Sequence, residues 1–310
     1  MLDEPINVTV VTHTGYEAAG EIAKERRFLP FEIFLPFWIR PQKALVVLEA
    51  ELWYMLFYAA KKRGMPLFLL NARISDRSYR RYLLFRRFYR RIFENIDIVF
   101  AQSEKDKARL KALGAKRVEV TGNIKAYRVF KPKERLPKPA GETVVLASTH
   151  EKEEALLLEH LRLYKGRTVI VVPRHPERFD AVAQMLEKRA TEKGLSFARF
   201  SQDATLTQDI VLVDRMGVLV DIYAVADVVV LGGSFIDGIG GHNPLEPAHF
   251  GVKLISGKYI FNQEALFPMV RNVVFADCEE IETAISNAEP VTIENSVDLS
   301  IVREALQNVV

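Results

Sequence analysis

The sequence predicts an α/β protein built as two doubly wound parallel-sheet domains, and three observations carry that prediction. Short β-branched runs such as residues 228–231 alternate with segments of helical spacing, the order expected of parallel strands joined by crossover helices. A stretch rich in proline and lysine, residues 126–142 with Pro132, Pro137 and Pro139, separates two halves. At 310 residues the chain is long for one domain and comfortable for two.

In the first half, residues 7–11 alternate and are valine-rich, which reads as a strand before a turn at 12–15 and a helix over 16–24. Residues 28–38 are apolar but broken by Pro30 and Pro36, so a short strand with loops is expected there. The run 44–48 is a clearer strand that ends on Glu49 and Glu51, and 54–63 then form a helix closed by Gly64. Residues 67–70 are the next strand, leading into Asn71, Ala72 and Arg73. Residues 80–93 interleave six arginines with Tyr82, Phe85, Phe88, Tyr89, Ile92 and Phe93, which gather on one side at helical spacing. A strand over 96–102, a helix over 104–113 and a strand over 117–121 follow, and Gly122-Asn123-Ile124-Lys125 opens the linker. The predicted domains are 1–125 and 143–310, joined by 126–142.

The second half starts with a strand over 143–147, then a capping-box-like Ser148-Thr149-His150-Glu151 and a helix over 153–164. Strand 168–172 ends in Pro173-Arg174-His175-Pro176-Glu177-Arg178, followed by a helix to about 193. Strand 210–213 ends in Asp214-Arg215-Met216-Gly217. The buried-strand run 228–231 opens the glycine-rich stretch Gly232 to Pro247, in which Asn243 reads as an N-cap, Pro244 as a first helical residue and Glu246 as the capping-box acid. A strand over 252–255, a helix from about 263, a strand near 273–275 and acidic helices close the chain.

Composition narrows the function classes. A hydrophobic fraction of 49% and a charged fraction of 27% are those of a globular protein, and a single cysteine, Cys278, excludes an internal disulfide framework. There is no zinc spacing, no secretory leader at 1–5 and no apolar run near the roughly 18 residues of a spanning helix. The net charge is +3, but Lys and Arg dominate residues 61–135 while 279–298 are acidic. The arginines of 80–93 read either as the solvated face of a packed helix or as an interfacial helix on anionic lipid. No nucleic-acid recognition module accompanies them.

Each candidate site residue carries two readings on its own. Glu49 and Glu51 sit at a strand's carboxyl end, where α/β proteins bind ligands, or are acids favoured at a helix start. Arg73 and Arg174 at strand ends suit anionic groups or are surface charges, and Lys125 is either a site cation or a solvated lysine. The 232–247 stretch offers backbone N–H groups to a phosphate, or is turn chemistry in which Glu246 ties down its own helix. His242 is either an acid or a residue that orients the loop.

As a joint set these stretches resemble one family. G-G-H-N-P-L-E-P at 240–247, E-A-E-L-W at 49–53, N-A-R-I-S at 71–75, G-N-I-K at 122–125 and V-P-R-H-P-E-R-F at 172–179 are similar to motifs of the 3-deoxy-D-manno-octulosonic acid (Kdo) transferases, and occur in that family's order. The resemblance implies a GT-B glycosyltransferase, with two Rossmann-like domains facing a cleft. It implies inverting, metal-independent transfer of Kdo from CMP-Kdo to a lipid A precursor, peripheral to the cytoplasmic face of a bacterial inner membrane, with no cofactor. The first domain is then acceptor-binding and the second donor-binding. The resemblance assigns transition-state stabilisation to Glu49 and Lys125, and CMP contacts to Pro173, Arg174, Met216, Gly217, Asn243, Pro244, Leu245 and Glu246. Arg73 is the residue expected to meet an anionic acceptor.

Two departures are visible. The family's Met-Gly-Glu has Val218 in place of the glutamate here, so the third side-chain contact is absent. The Ser-x-Gly-Glu motif with the family's general base, and a central strand of the first sheet, would precede Asn7. The expectations are therefore an incomplete first domain, and either a transferase or a CMP-binding relative without the base. A GT-B transferase using another nucleotide sugar is the further alternative.

Overall fold

The computed structural model describes residues 5–49, 51–127, 129–294 and 297–308. The chain divides into two units, Met1–Tyr127 with Ser296–Val310, and Arg128–Asn295.

In the first unit, β1 (Asn7–Val10) and β2 (Glu25–Phe28) pair in parallel as a two-stranded sheet of their own. Between them the predicted 16–24 helix is replaced by a short helix, His13–Ala18, capped by the Thr12 hydroxyl, and a 3-10 turn, Ala19–Glu21. Gly15 and Gly20 weaken the longer helix. Residues 28–38 hold no further strand; Pro36 lies in the first turn of a short helix, Leu35–Trp38, where its missing N–H costs nothing.

A second sheet holds β3 (Leu45–Leu48), β4 (Leu67–Ala72), β5 (Ile98–Ala101) and β6 (Val118–Val120), in that order and all parallel. One face buries Val47, Leu67, Leu69 and Val99 with Phe57, Ile92 and Phe93. Its other face carries Phe68, Ile98 and Phe100, packed on Val302 and Leu306 of the helix Ser300–Gln307. The last helix thus belongs to the first unit rather than to 143–310, because two apolar side chains worth about 1.5–3 kcal/mol each find their cover there.

The 80–93 helix is two helices, Asp76–Leu84 and Arg86–Phe93, which meet at Phe85 with φ −106° and ψ 29°. Ile92 and Phe93 are buried, but the bend turns Phe85 and Phe88 out to solvent instead of onto one packed stripe. Tyr82 and Tyr89 stack across it at 4.2 Å.

The linker also differs from expectation. Phe130 is buried in the second unit's core, and the N–H groups of Lys133 and Glu134 donate to Asp221 Oδ1 at 2.6 and 3.2 Å. Its prolines fix an extended path that packs down rather than a free tether; residue 128 lies outside the described residues.

The second unit contains β7 (Glu142–Thr149), β8 (Arg167–Pro173), β9 (Phe197–Arg199), β10 (Ile210–Leu212), β11 (Val228–Leu231), β12 (Lys253–Ser256), β13 (Val270–Arg271), β14 (Val274–Phe275) and β15 (Thr292–Ile293). Seven form a parallel sheet in the order β14-β12-β11-β7-β8-β10-β9, and β13 pairs antiparallel with β15. Alternate residues enter opposite cores: Val145, Ile170, Val211 and Val229 on one face, Val144, Val169, Ile210 and Val228 on the other. This accounts for the unbroken apolar strands, since helices cover both faces. The helix predicted from 263 is absent; Pro268 sits inside that window, and a 3-10 turn, Phe267–Met269, takes its place.

The chain runs from β7 outward through β8, then returns past β7 to β11 and on to β12. The loops after β7 and β11 therefore leave adjacent strands in opposite directions, the switch point at which open parallel sheets bind ligands. Among the described residues no helix is long and apolar enough to cross a membrane.

Candidate functional site

At that switch point β7 and β11 approach closely. A Cβ on Gly232 would lie 2.8 Å from the Ser148 carbonyl oxygen, so only glycine lets the two loops meet. Gly233 follows at φ +70°, and a side chain there would lie 2.8 Å from the His242 ring.

A buried carboxylate ties the loops together. Glu153, fully buried, accepts from the His150 N–H at 2.9 Å and the Gly233 N–H at 2.7 Å through Oε2, and from the Phe235 N–H at 3.0 Å through Oε1. Its neighbour Glu154 accepts from the Thr149 hydroxyl at 2.8 Å and takes both prongs of Arg178, each at 2.8 Å. That two-pronged pair holds the Arg178 guanidinium above its ordinary pKa, although burial opposes it. Ser148 and Lys152 have positive φ, at 55° and 75°, so no regular capping box forms before the helix Glu153–His160.

Three imidazoles stand over this frame. His150 Nε2 and His242 Nε2 are 2.9 Å apart with their rings stacked, and the His175 ring meets His150 edge-on at 5.2 Å. Burial, with the neighbouring His150, Arg174 and His175, lowers the His242 pKa to about 4. His150 is lowered too, chiefly by burial and against the pull of Glu153. Among the described residues no group of three or more His, Cys, Asp or Glu side chains is arranged to hold a metal ion.

Of the sequence-predicted residues, Arg174 lies at the end of β8 with its N–H on the Thr149 carbonyl at 2.9 Å. Its exposed guanidinium has no hydrogen-bond or ion-pair partner among the described residues. Pro173 is buried. Met216 is exposed, and Gly217 takes φ +83° after β10. Val218, where the resembling family has glutamate, is buried in the core. Asn243 Oδ1 accepts from the Leu245 N–H at 3.0 Å, and its amide donates to Glu246 Oε1 at 3.3 Å. The helix starts one residue later than expected, with Pro244 rather than Asn243 at the N-cap position and no side-chain cap bond; it is one turn, Leu245–Ala248, so it offers a few N–H groups and no long dipole. Pro244 and Leu245 are buried, which leaves their backbone as the part able to touch a ligand.

The first unit has its own polar cluster. Lys125 Nζ lies 2.8 Å from Glu49 Oε1, each side chain about half exposed. Glu49 holds φ 62° and Asn71 φ 57°, conformations that cost non-glycine residues about 1–3 kcal/mol and collect at functional sites. Asn71 Oδ1 accepts from the Ile124 N–H at 3.1 Å, which fixes the backbone next to Lys125. Glu51 turns away to accept from the Trp53 indole at 3.0 Å. Arg73 is exposed; the backbone beside it is fixed by Asp106, which accepts from the Ile74 N–H at 2.9 Å. A cavity of about 600 Å³ lies instead at the amino ends of this sheet's strands, lined by Met65, Pro66, Ile98 and Arg117, away from the ligand edge of such sheets.

Sequence reasoning missed Glu153, Glu154, Arg178 and Asn71. Glu153 reaches Gly233 and Phe235, and Glu154 reaches Arg178, across loops far apart in sequence, and Asn71 announced itself only as part of a motif.

Residues 1–128 match the family model described as 3-deoxy-D-manno-octulosonic-acid transferase. The chain is 34% identical over 283 residues to the 3-deoxy-D-manno-octulosonic acid transferase of Chlamydophila psittaci, covering 84% of this chain and 64% of that protein. The transferase of the same name from Haemophilus influenzae is 32% identical over 293 residues, covering 86% and 67%. The chain spans between about half and two thirds of the length of the curated relatives it matches. Among solved structures, UDP-GlcNAc 2-epimerase from Neisseria meningitidis aligns over 98% of this chain and 91% of its own, with a TM-score of 0.57 and 14% identity. That likeness concerns the fold, which is of the GT-B class.

Proposed function

The chain belongs to the 3-deoxy-D-manno-octulosonic acid transferase family, and from that premise we propose that it is an inverting, metal-independent glycosyltransferase moving Kdo from CMP-Kdo to a lipid A precursor. The observation that carries the donor half is the unpaired Arg174 guanidinium at the switch point, beside a loop frame fixed by Glu153 and Gly232. An arginine without a carboxylate partner, at the carboxyl edge of a parallel sheet, is suited to an anionic phosphate.

In this reading Arg174 binds the phosphate of CMP, and the Met216-Gly217 turn and the backbone of 243–245 hold the nucleoside. The Glu246 carboxylate accepts from a ribose hydroxyl. An acceptor hydroxyl attacks the anomeric carbon as the bond to the phosphate oxygen breaks, and the electron pair leaves with CMP. Glu49 and Lys125 stabilise the charge that develops, and Arg73 meets an anionic group of the acceptor. The proton of the attacking hydroxyl needs a base; we assign that role to no residue of this sequence.

An anionic membrane surface is the proposed seat of the acceptor. Leu84, Phe85 and Phe88 are exposed among Arg80, Arg81, Arg86 and Arg87. Phe31, Ile33, Phe34 and Phe37 form a second exposed apolar segment. Both flank the start of the helix Tyr54–Lys62, through Tyr54 against Phe88 at 6.0 Å and the Met55 N–H on Glu32 at 2.8 Å. Exposed aromatics beside arginines suit a lipid interface. The localisation proposed is the cytoplasmic face of a bacterial inner membrane.

Transfer of labelled Kdo from CMP-Kdo to a lipid A precursor tests the assignment. Product that disappears with Glu49→Gln or Arg174→Ala is expected. Transfer from UDP- or GDP-sugars with none from CMP-Kdo would overturn it.

A further inference from the structure

His150 and His242 present a chemistry that the transfer reaction as assigned leaves unused. Two imidazole nitrogens 2.9 Å apart share one hydrogen, so one ring donates and the other accepts. Two neutral rings carry two ring hydrogens in all, one of them shared across that contact and the other on the outer nitrogen of the accepting ring. The one basic nitrogen left on the pair is the Nδ1 of whichever ring donates. A proton arriving there breaks no hydrogen bond; its cost is charge alone.

The charges facing the pair are nearly balanced. From the helix Glu153–His160 comes the Glu153 carboxylate, already holding three backbone N–H groups. From the loop after β8 come Arg174, His175 and Arg178, of which Arg178 is neutralised by Glu154. An anion placed beside Arg174 tips that balance toward the protonated pair, since opposite charge within a few ångströms favours the charged form of an imidazole.

We propose that the His150–His242 pair is a phosphate subsite of this edge that takes up a proton when the nucleotide binds. The proposal rests on the reading that the edge holds CMP, and adds to it a proton-linked anion contact made by two loops that only the switch point brings together. The positive charge is absent from the empty site and is created by its ligand, so the subsite discriminates a nucleotide carrying phosphate from the bare nucleoside.

The test is calorimetry of the protein with CMP and with cytidine at pH 7 to 8.5, where the nucleotide's own phosphate is largely ionised, in buffers of different ionisation enthalpy. Net proton uptake with CMP and none with cytidine is expected, and CMP affinity falls by up to about tenfold per pH unit as the uptake is lost. His150→Gln and His242→Gln should each abolish the uptake. CMP binding without proton uptake, or uptake that persists in both variants, overturns the subsite and leaves the CMP assignment standing. Absence of CMP binding overturns the assignment and the subsite with it. The wild-type comparison of CMP with cytidine decides the matter even if a variant fails to fold.

Discussion

Gly233 donates its backbone N–H to the buried carboxylate of Glu153 at 2.7 Å, and that contact joins two loops separated by the whole switch of the larger sheet. The same carboxylate holds His150 and Phe235. Glu153→Ala leaves three N–H groups without their acceptor, and we expect a loss of about 3 kcal/mol in urea unfolding. Glu153→Gln should also destabilise, because both oxygens accept and an amide NH₂ opposes one of the donors. Unchanged midpoints in both variants would remove Glu153 from its structural role.

Arg174 and Arg178 are four positions apart and predict opposite phenotypes. Arg178→Ala strands the nearly buried Glu154 without its counter-charge, so a stability loss of about 3–5 kcal/mol is expected in denaturant titration. Arg174→Ala should leave the melting temperature unchanged and weaken CMP binding by about 1.5–3 kcal/mol, the worth of a charged hydrogen bond. Swapped outcomes would contradict both assignments.

The His242 ring also makes stability depend on pH. Its pKa is about 4 in the folded protein against an ordinary 6.5, so between those values the unfolded chain binds the proton that the folded one refuses. Stability contributed by the neutral ring is complete above about pH 6.5 and is lost as the pH falls toward 4, by up to about 3 kcal/mol. Unfolding curves at pH 7, 5.5 and 4.5 should show that slope, and His242→Gln should flatten it. Equal slopes in the two proteins would show that the ring titrates normally.

The arginine-rich bend supplies a surface prediction. Arg86→Gln with Arg87→Gln should weaken sedimentation with anionic vesicles by about 2 kcal/mol, near 1 kcal/mol per basic residue, with little change on neutral vesicles. Leu84→Glu should weaken it further. Undiminished binding would exclude this face as the contact.

Much of the larger sheet was legible because its core strands are unbroken β-branched runs, a pattern that survives without knowing what packs on them. The glycine-rich stretch was legible as a tight turn, but not its helix start: the Asn243 amide meets Glu246 side chain to side chain instead of closing a capping box. Other features lay beyond local pattern. The bend at Phe85 and the exposure of Phe88 follow from what Ile92 and Phe93 find in the core. The last helix reads the same whichever sheet it covers, and its packing on Phe68, Ile98 and Phe100 decides that it joins the first. His150 and His242 read as separate loop residues until β7 and β11 are placed side by side. In each case the deciding partner lies far away in sequence.

Calorimetric titration of the protein with CMP addresses the central claim most directly. A saturable heat with CMP that is greatly reduced in Arg174→Ala, with weaker or no binding of UMP and GMP, is the predicted result. No heat with CMP, under conditions where the protein is folded, would contradict the donor site on which the account stands.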